Sequence, residues 1–156
     1  VIFCNTTPLI ALSGIGRLDL LARLFNVVHV VEAVVGECAA GGPVAVPDLP
    51  SLPWIRVVVA SETALPGLLL SLDRGERDTL TMAKNLGAER VIIDERIGRN
   101  MAELLGLKVV GTLGVLLMAK QRGLIPSFHA AVTQMQANGI FYHPTLLEKL
   151  RRLADE

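Results

Sequence analysis

Short β-branched runs alternate along this chain with stretches whose apolar residues recur every three or four positions. The strand-like runs are Val1–Cys4, Val27–Val31, Trp54–Ala60, Arg90–Ile93 and Leu107–Val110. A helix is expected from Thr6-Thr7-Pro8, with a Thr cap and Pro in the first turn. It carries Leu9, Ile10, Leu12 and Ile15 at helical spacing. A second runs from about Arg17 to Phe25, with Leu18, Leu21, Leu24 and Phe25 on one face. Further helices are expected over Glu32–Ala40, Asp73–Leu86 and Ile97–Leu105, from Gly111-Thr112 to near Gly123, from Pro126 to Asn138, and from Pro144 onward. Gly87 and Gly106 read as helix stops.

The valines of the third run are consecutive rather than alternating with polar residues. That predicts a strand covered on both faces. Strands alternating with helices predict an α/β chain: a three-layer α/β/α sandwich with a parallel sheet of about five strands. The two C-terminal helices are expected to pair as a hairpin or to cover a sheet edge. A length of 156 residues fits a single domain over 1–156. In such a sheet, ligand chemistry sits beyond the carboxyl ends of the strands. That rule points at Asn5, at Asp94-Glu95 and at the Gly111-Thr112 turn.

Composition narrows the classes. Hydrophobic residues make up 51% of the chain, enough for a sizeable core. Mean hydropathy is +0.50, so membrane insertion has to be weighed. The uncharged run Val109–Ala119 is about half of the ~20 apolar residues a spanning helix needs, and Lys108 and Lys120 flank it. No basic segment precedes an apolar one at the N-terminus, so no secretory signal is read. A cytoplasmic protein with no membrane partner is expected. Lys+Arg and Asp+Glu are 15 each, which gives no long-range attraction for nucleic acid but leaves room for a local basic patch. Cys4 and Cys38 lack ligand spacing and read as reduced, buried thiols. His29, His129 and His143 are scattered, so no zinc site is expected. Trp54 reads as core, and no segment interleaves aromatic with basic residues as single-strand binders do.

The chemistry lies in the acids. Glu37, Glu76, Asp78, Asp94 and Glu95 each fall near the end of a strand-like run or on an adjoining helix. Each has a bland alternative. Asp94 taken alone reads first as a helix cap. Glu76 and Asp78 suit the first turn of a helix, and residues two apart do not share a face. Glu37 reads by default as solvated. As a set they are more telling, because carboxylates gathered at one sheet edge repel each other and call for a cation. Three or four of them suit Mg²⁺ or Mn²⁺. Such an ion polarises a phosphoryl oxygen and lowers the pKa of a bound water, which implies phosphodiester hydrolysis. Asn5 stands where an Asp is expected at the end of the first strand. Its amide offers an oxygen but no charge. Arg74, Arg77, Arg96 and Arg99 flank the acids, either to bind phosphates or to pair locally. Thr112 either presents an N–H to a phosphate or caps its helix.

The segments Cys4-Asn5-Thr6-Thr7-Pro8-Leu9-Ile10, Ile15-Gly16-Arg17-Leu18-Asp19, Gly75-Glu76-Arg77-Asp78, Ile93-Asp94-Glu95-Arg96 and Gly111-Thr112-Leu113-Gly114, in that order, resemble a branch of the PIN-domain superfamily. The branch is VapC-like, with Asn in place of the first-strand Asp. The resemblance implies an α/β/α sandwich and a Mg²⁺- or Mn²⁺-dependent ribonuclease of the toxin–antitoxin type. It matches Asn5 to the first acid, Glu37 to the helix Glu, Asp78 to the helix-start Asp, and Asp94 or Glu95 to the acid after the fourth strand. Glu76 is an auxiliary ligand by the same likeness. Thr6, Arg96 and Arg99 are candidates for holding metal or substrate. RNA, a small antitoxin and a second copy of the chain are the implied partners. The competing expectation is a PIN fold that no longer cuts and serves to bind RNA or a protein.

Overall fold

The computed structural model describes residues 1–61 and 67–156. Five strands form one sheet: β1 (Ile2–Cys4), β2 (Val28–Val31), β3 (Ile55–Val58), β4 (Arg90–Ile92) and β5 (Val109–Val110). Their order is β3-β2-β1-β4-β5, and every pairing is parallel. Around it run α1 (Thr6–Gly14), α2 (Asp19–Phe25), α3 (Glu32–Ala39), α4 (Arg74–Asn85), α5 (Arg96–Leu104), α6 (Thr112–Gln121), α7 (Phe128–Ala137) and α8 (Pro144–Leu153). The α/β/α sandwich expected from the alternation is therefore the fold.

The two central strands are apolar and sealed. Phe3, Cys4, Val91 and Ile92 have no solvent exposure, nor do Leu9 and Leu12 of α1 or Leu116 of α6. Helices stop where a glycine turns the chain: Gly87 and Gly106 have φ of +64° and +80°. Glycine adopts that conformation with no side-chain penalty.

Three expectations are corrected. β3 is an edge strand paired only to β2, and Val57 and Val59 of its valine run are 39% and 66% exposed. Consecutive valines here mark an uncovered edge, because β-branched residues suit extended backbone whether or not a layer covers them. The second helix begins at Asp19 rather than Arg17, because Gly16 turns the chain at φ +67° and Arg17 folds back to pair with Asp19 at 3.0 Å. Asn5, not Thr6, holds the cap position of α1.

Of the two arrangements expected for the C-terminal helices, the hairpin is absent among the described residues and α8 lies beside the edge strand β5. α7 rests on α6, while α8 faces β5 across a cleft and buries no residue fully. The Glu156 side chain closes the N-terminus of α7. It accepts the N–H groups of Phe128 and His129 at 2.6 and 2.9 Å and the Ser127 hydroxyl at 3.0 Å. Against the upward pull of burial, these bonds and the nearby Lys120 hold its carboxyl down at about 2. Among the described residues no helix is long and apolar enough to cross a membrane.

Candidate functional site

The strand order reverses between β1 and β4. Connections from β1 run outward to β2 and β3, and those from β4 run the other way to β5. The connections leaving the two central strands therefore diverge at the carboxyl ends and leave a crevice, the usual ligand site of an open parallel sheet. Cys4 lies opposite Ile92, so Asn5 leaves β1 next to Ile93 and Asp94 follows one residue on. Sequence places an amide and a carboxylate at this mouth, and the topology brings them together.

Asn5 is 4% exposed. Its N–H donates to the Ile92 carbonyl at 2.9 Å, which pins it to the neighbouring strand. Its side chain makes no capping bond to α1, and its Oδ1 is buried without a partner. A buried carbonyl oxygen left unpaired costs about 1–3 kcal/mol. Such an atom is a natural place for a cation or an ordered water.

Glu37 reaches the same region from α3. Its carboxylate accepts the Thr6 hydroxyl and lies on Gly75 in the first turn of α4. A Cβ on Gly75 would stand 2.9 Å from Glu37 Cδ, so glycine makes the place that the carboxylate fills. Glu37 remains exposed, as its default reading has it, while its carboxylate also links α1 and α4. Gly75→Ala should leave the melting temperature unchanged or raise it slightly, since Ala is favoured over Gly inside a helix by ~0.5–1 kcal/mol. The flexible Glu37 side chain would be the group that yields. If Glu37 serves as a ligand, divalent-ion affinity measured by calorimetry falls about tenfold or more.

Asp94 is held from the far side of the crevice. Its Oδ1 accepts the Thr112 N–H at 2.7 Å, and its Oδ2 accepts the Thr112 hydroxyl at 2.5 Å. Asp94 therefore caps α6, the helix after the next strand, while Glu95 caps its own helix through the N–H groups of Ile97 and Gly98 at 3.0 and 2.7 Å. Thr112 is fully buried. Gly111 lets this happen, because a Cβ there would lie 2.9 Å from Asp94 Oδ1 and 2.7 Å from Arg99 Nη1. Arg99 in turn donates to the Ile93 carbonyl at 3.2 Å.

The acids of α4 divide as their spacing requires. Asp73 caps the helix through the Glu76 N–H at 2.9 Å. Glu76 is half-buried, and its carboxyl is raised to about 7, first by burial and then by the charges of Asp73 and Glu95. Asp78 turns to Arg74 at 3.5 Å, a pair exposed on the arginine side and worth little. Among the described residues, no three His, Cys, Asp or Glu side chains gather closely enough to form a metal group. They stand instead as Glu37 with Thr6, Glu76 with Asp73 and Glu95, and Asp94 with Thr112. Both thiols are buried, as expected. Burial and the Asp94 charge push Cys4 well up, and burial with Glu37 pushes Cys38 to about 11.

The raised carboxyl of Glu76 has a consequence for stability. Its folded pKa lies above its unfolded one, so the folded state holds more protons between about 4.5 and 7. Stability contributed by the neutral form is present below that window and is lost as pH rises through it. Glu76→Gln should flatten the fall in melting temperature over that range, as read by thermal unfolding at several pH values.

The residues fit a hard cation in kind. Every candidate donor is oxygen, the buried Asn5 oxygen lacks a partner, and the Glu37 carboxylate is held against the next residue, Thr6, and Gly75. Mg²⁺ keeps several waters and commonly binds through one or two carboxylates. Three features were not visible in the sequence pattern: the Thr112–Asp94 contact, the Gly75 cradle, and the cleft that Phe141 and Tyr142 line together with Arg96 and Arg99. Glycines at 75 and 111 carried the only signal for the first two, since neither lies at a helix end that calls for positive φ.

A parallel α/β/α sandwich with a polar site at the switch point hosts many activities, so the family match decides the class. The family described as PIN domain matches residues 1–156, and the chain belongs to it. No curated protein and no solved structure matches the chain.

Proposed function

We propose that this PIN domain is a Mg²⁺- or Mn²⁺-dependent ribonuclease of the VapC-like, toxin–antitoxin type, with Asn5 in place of the usual first-strand acid. The observation that carries the proposal is the buried, unpaired Asn5 oxygen at the end of β1, with Asp94 at the end of the neighbouring strand β4. Asn5, Glu37 and Asp94 would hold the ion, and Asp78, Glu76 and Glu95 would join only by leaving the partners they have in this structure. A divalent ion supplies Lewis-acid polarisation of a phosphoryl oxygen and activation of water. Thr6 keeps the Glu37 carboxylate over the N-terminus of α1, and Thr112 keeps Asp94 from rotating away. Arg96 and Arg99 lie beside Asp94, suited to a substrate phosphate. By the likeness to VapC-type chains, the proposal extends to a cytoplasmic homodimer restrained by a small antitoxin.

The second reading is a PIN fold that binds RNA or a protein without cutting. Asn5 favours it, because an amide adds no charge to the attraction for the ion. Incubating the protein with unpaired RNA, with and without Mg²⁺ or Mn²⁺, separates the two. Metal-dependent cleavage that ends on adding a chelator supports the nuclease. Binding with no cleavage at any metal concentration supports the idle module.

A further inference from the structure

The chain has four Phe, one Tyr and one Trp. Phe3 and Phe128 are fully buried, while Phe141 is 80% exposed. It stands on the wall of a cleft of about 710 Å³ between α5, β5 and the C-terminal segment. The volume lies in the ~300–1,000 Å³ range of sites that take one small organic group. Arg96 and Arg99 line the facing wall, Tyr142 and Leu113 add to the lining, and Asp94 lies on the side nearest the crevice. The Arg96 side chain makes no ion pair or hydrogen bond among the described residues, and Arg99 spends one nitrogen on the Ile93 carbonyl.

We propose that this cleft is a subsite for one unpaired nucleotide, with its base stacked on Phe141 and its phosphate drawn by Arg96 and Arg99. The proposal rests on the nuclease reading for one element only: the next phosphodiester would then lie at Asp94. An aromatic face in water beside guanidinium groups suits a flat base with a negative linker, since every base has a π-face and stacking tolerates any sequence. Charge decides against an apolar protein partner. Such a partner would strip water from four charged side chains of the lining at once, Arg96 and Arg99 with Asp94 and Glu103. A paired base has both faces already stacked and is not available to Phe141.

The test is binding in EDTA, where no metal-dependent cleavage interferes. The probes are a uridine hexamer, the same hexamer with alternate abasic sites, and a duplex. Stacking is worth roughly ten-fold or more per base in affinity. Phe141→Ala is expected to weaken hexamer binding by about that factor with no change in melting temperature, as the ring is exposed. Phe141→Trp should restore binding. The emission of that variant should be quenched by the hexamer, whereas wild type, whose one tryptophan is Trp54, shows no such change. The abasic hexamer and the duplex should bind more weakly. The proposal is overturned if wild type does not bind the hexamer, if Phe141→Ala binds as wild type does, or if the abasic strand binds equally. A shift in the emission of Phe141→Trp with protein concentration alone would assign the ring to a second copy and also overturn it. Hexamer binding lost in Phe141→Ala, with no cleavage in any metal, would keep the subsite and remove the nuclease. Cleavage with binding indifferent to Phe141 would do the reverse.

Discussion

Asp94→Asn is expected to reduce metal-dependent RNA cleavage at least about a hundredfold. The change removes one unit of negative charge from the mouth of the switch-point crevice and leaves the shape intact. A ligand lost from a catalytic ion weakens both its retention and its polarising effect, and each 1.36 kcal/mol of lost transition-state stabilisation is a factor of about ten. The fold should survive. An amide oxygen at 94 can still accept the Thr112 N–H, and the Thr112 hydroxyl can turn to accept from the amide nitrogen. The stability cost should be about 1–2 kcal/mol. Thr112→Val is the matched control. It keeps the charge of Asp94 but frees one of its oxygens. It should lower ion affinity about tenfold, and Thr112→Ser should recover it. Cleavage by Asp94→Asn at the wild-type rate would remove Asp94 from the site.

These contacts explain which parts of the protein could be read in advance. The parallel sheet was legible because each strand is an apolar run set between helical periods, and Val91-Ile92 or Val28–Val31 have no other use. Edge and centre were not legible, since the valines of β3 and β4 look alike in one dimension and differ only in their neighbours. The candidate acids were legible by position, at strand ends and helix starts. Their partners were not. Asp94 is bound by a residue eighteen places on, and Glu37 by Thr6 and Gly75 from two other helices. Local spacing predicts that an acid before a helix caps that helix. Here Glu95 takes that role, which frees Asp94 to cap the next helix across the sheet. The aromatic and basic residues of the cleft lie some forty positions apart, so no local motif joins them. Only the return of the C-terminal segment beside α5 does.

Asn5→Asp is expected to make folding stability depend on divalent ions. Without an ion, the new carboxyl would sit 4% exposed, near Asp94, with no partner for the oxygen that Asn5 already leaves unpaired. Burial and the like charge both oppose ionisation, so the melting temperature in EDTA should fall, by an amount equivalent to a few kcal/mol. Lowering the pH should recover part of the loss, because protonation removes the charge. Adding Mg²⁺ or Mn²⁺ should recover more, and the rise should follow RT ln(1 + [L]/Kd), ~2.7 kcal/mol at a hundred times Kd. Wild type should rise less at the same concentration, since its amide contributes dipole rather than charge. Cleavage should increase in parallel if the protein is a nuclease weakened by Asn5. The thermal measurement holds its meaning even if no RNA is ever cut: a melting temperature that falls in Asn5→Asp and ignores both metals would place the ion, if there is one, away from the end of β1.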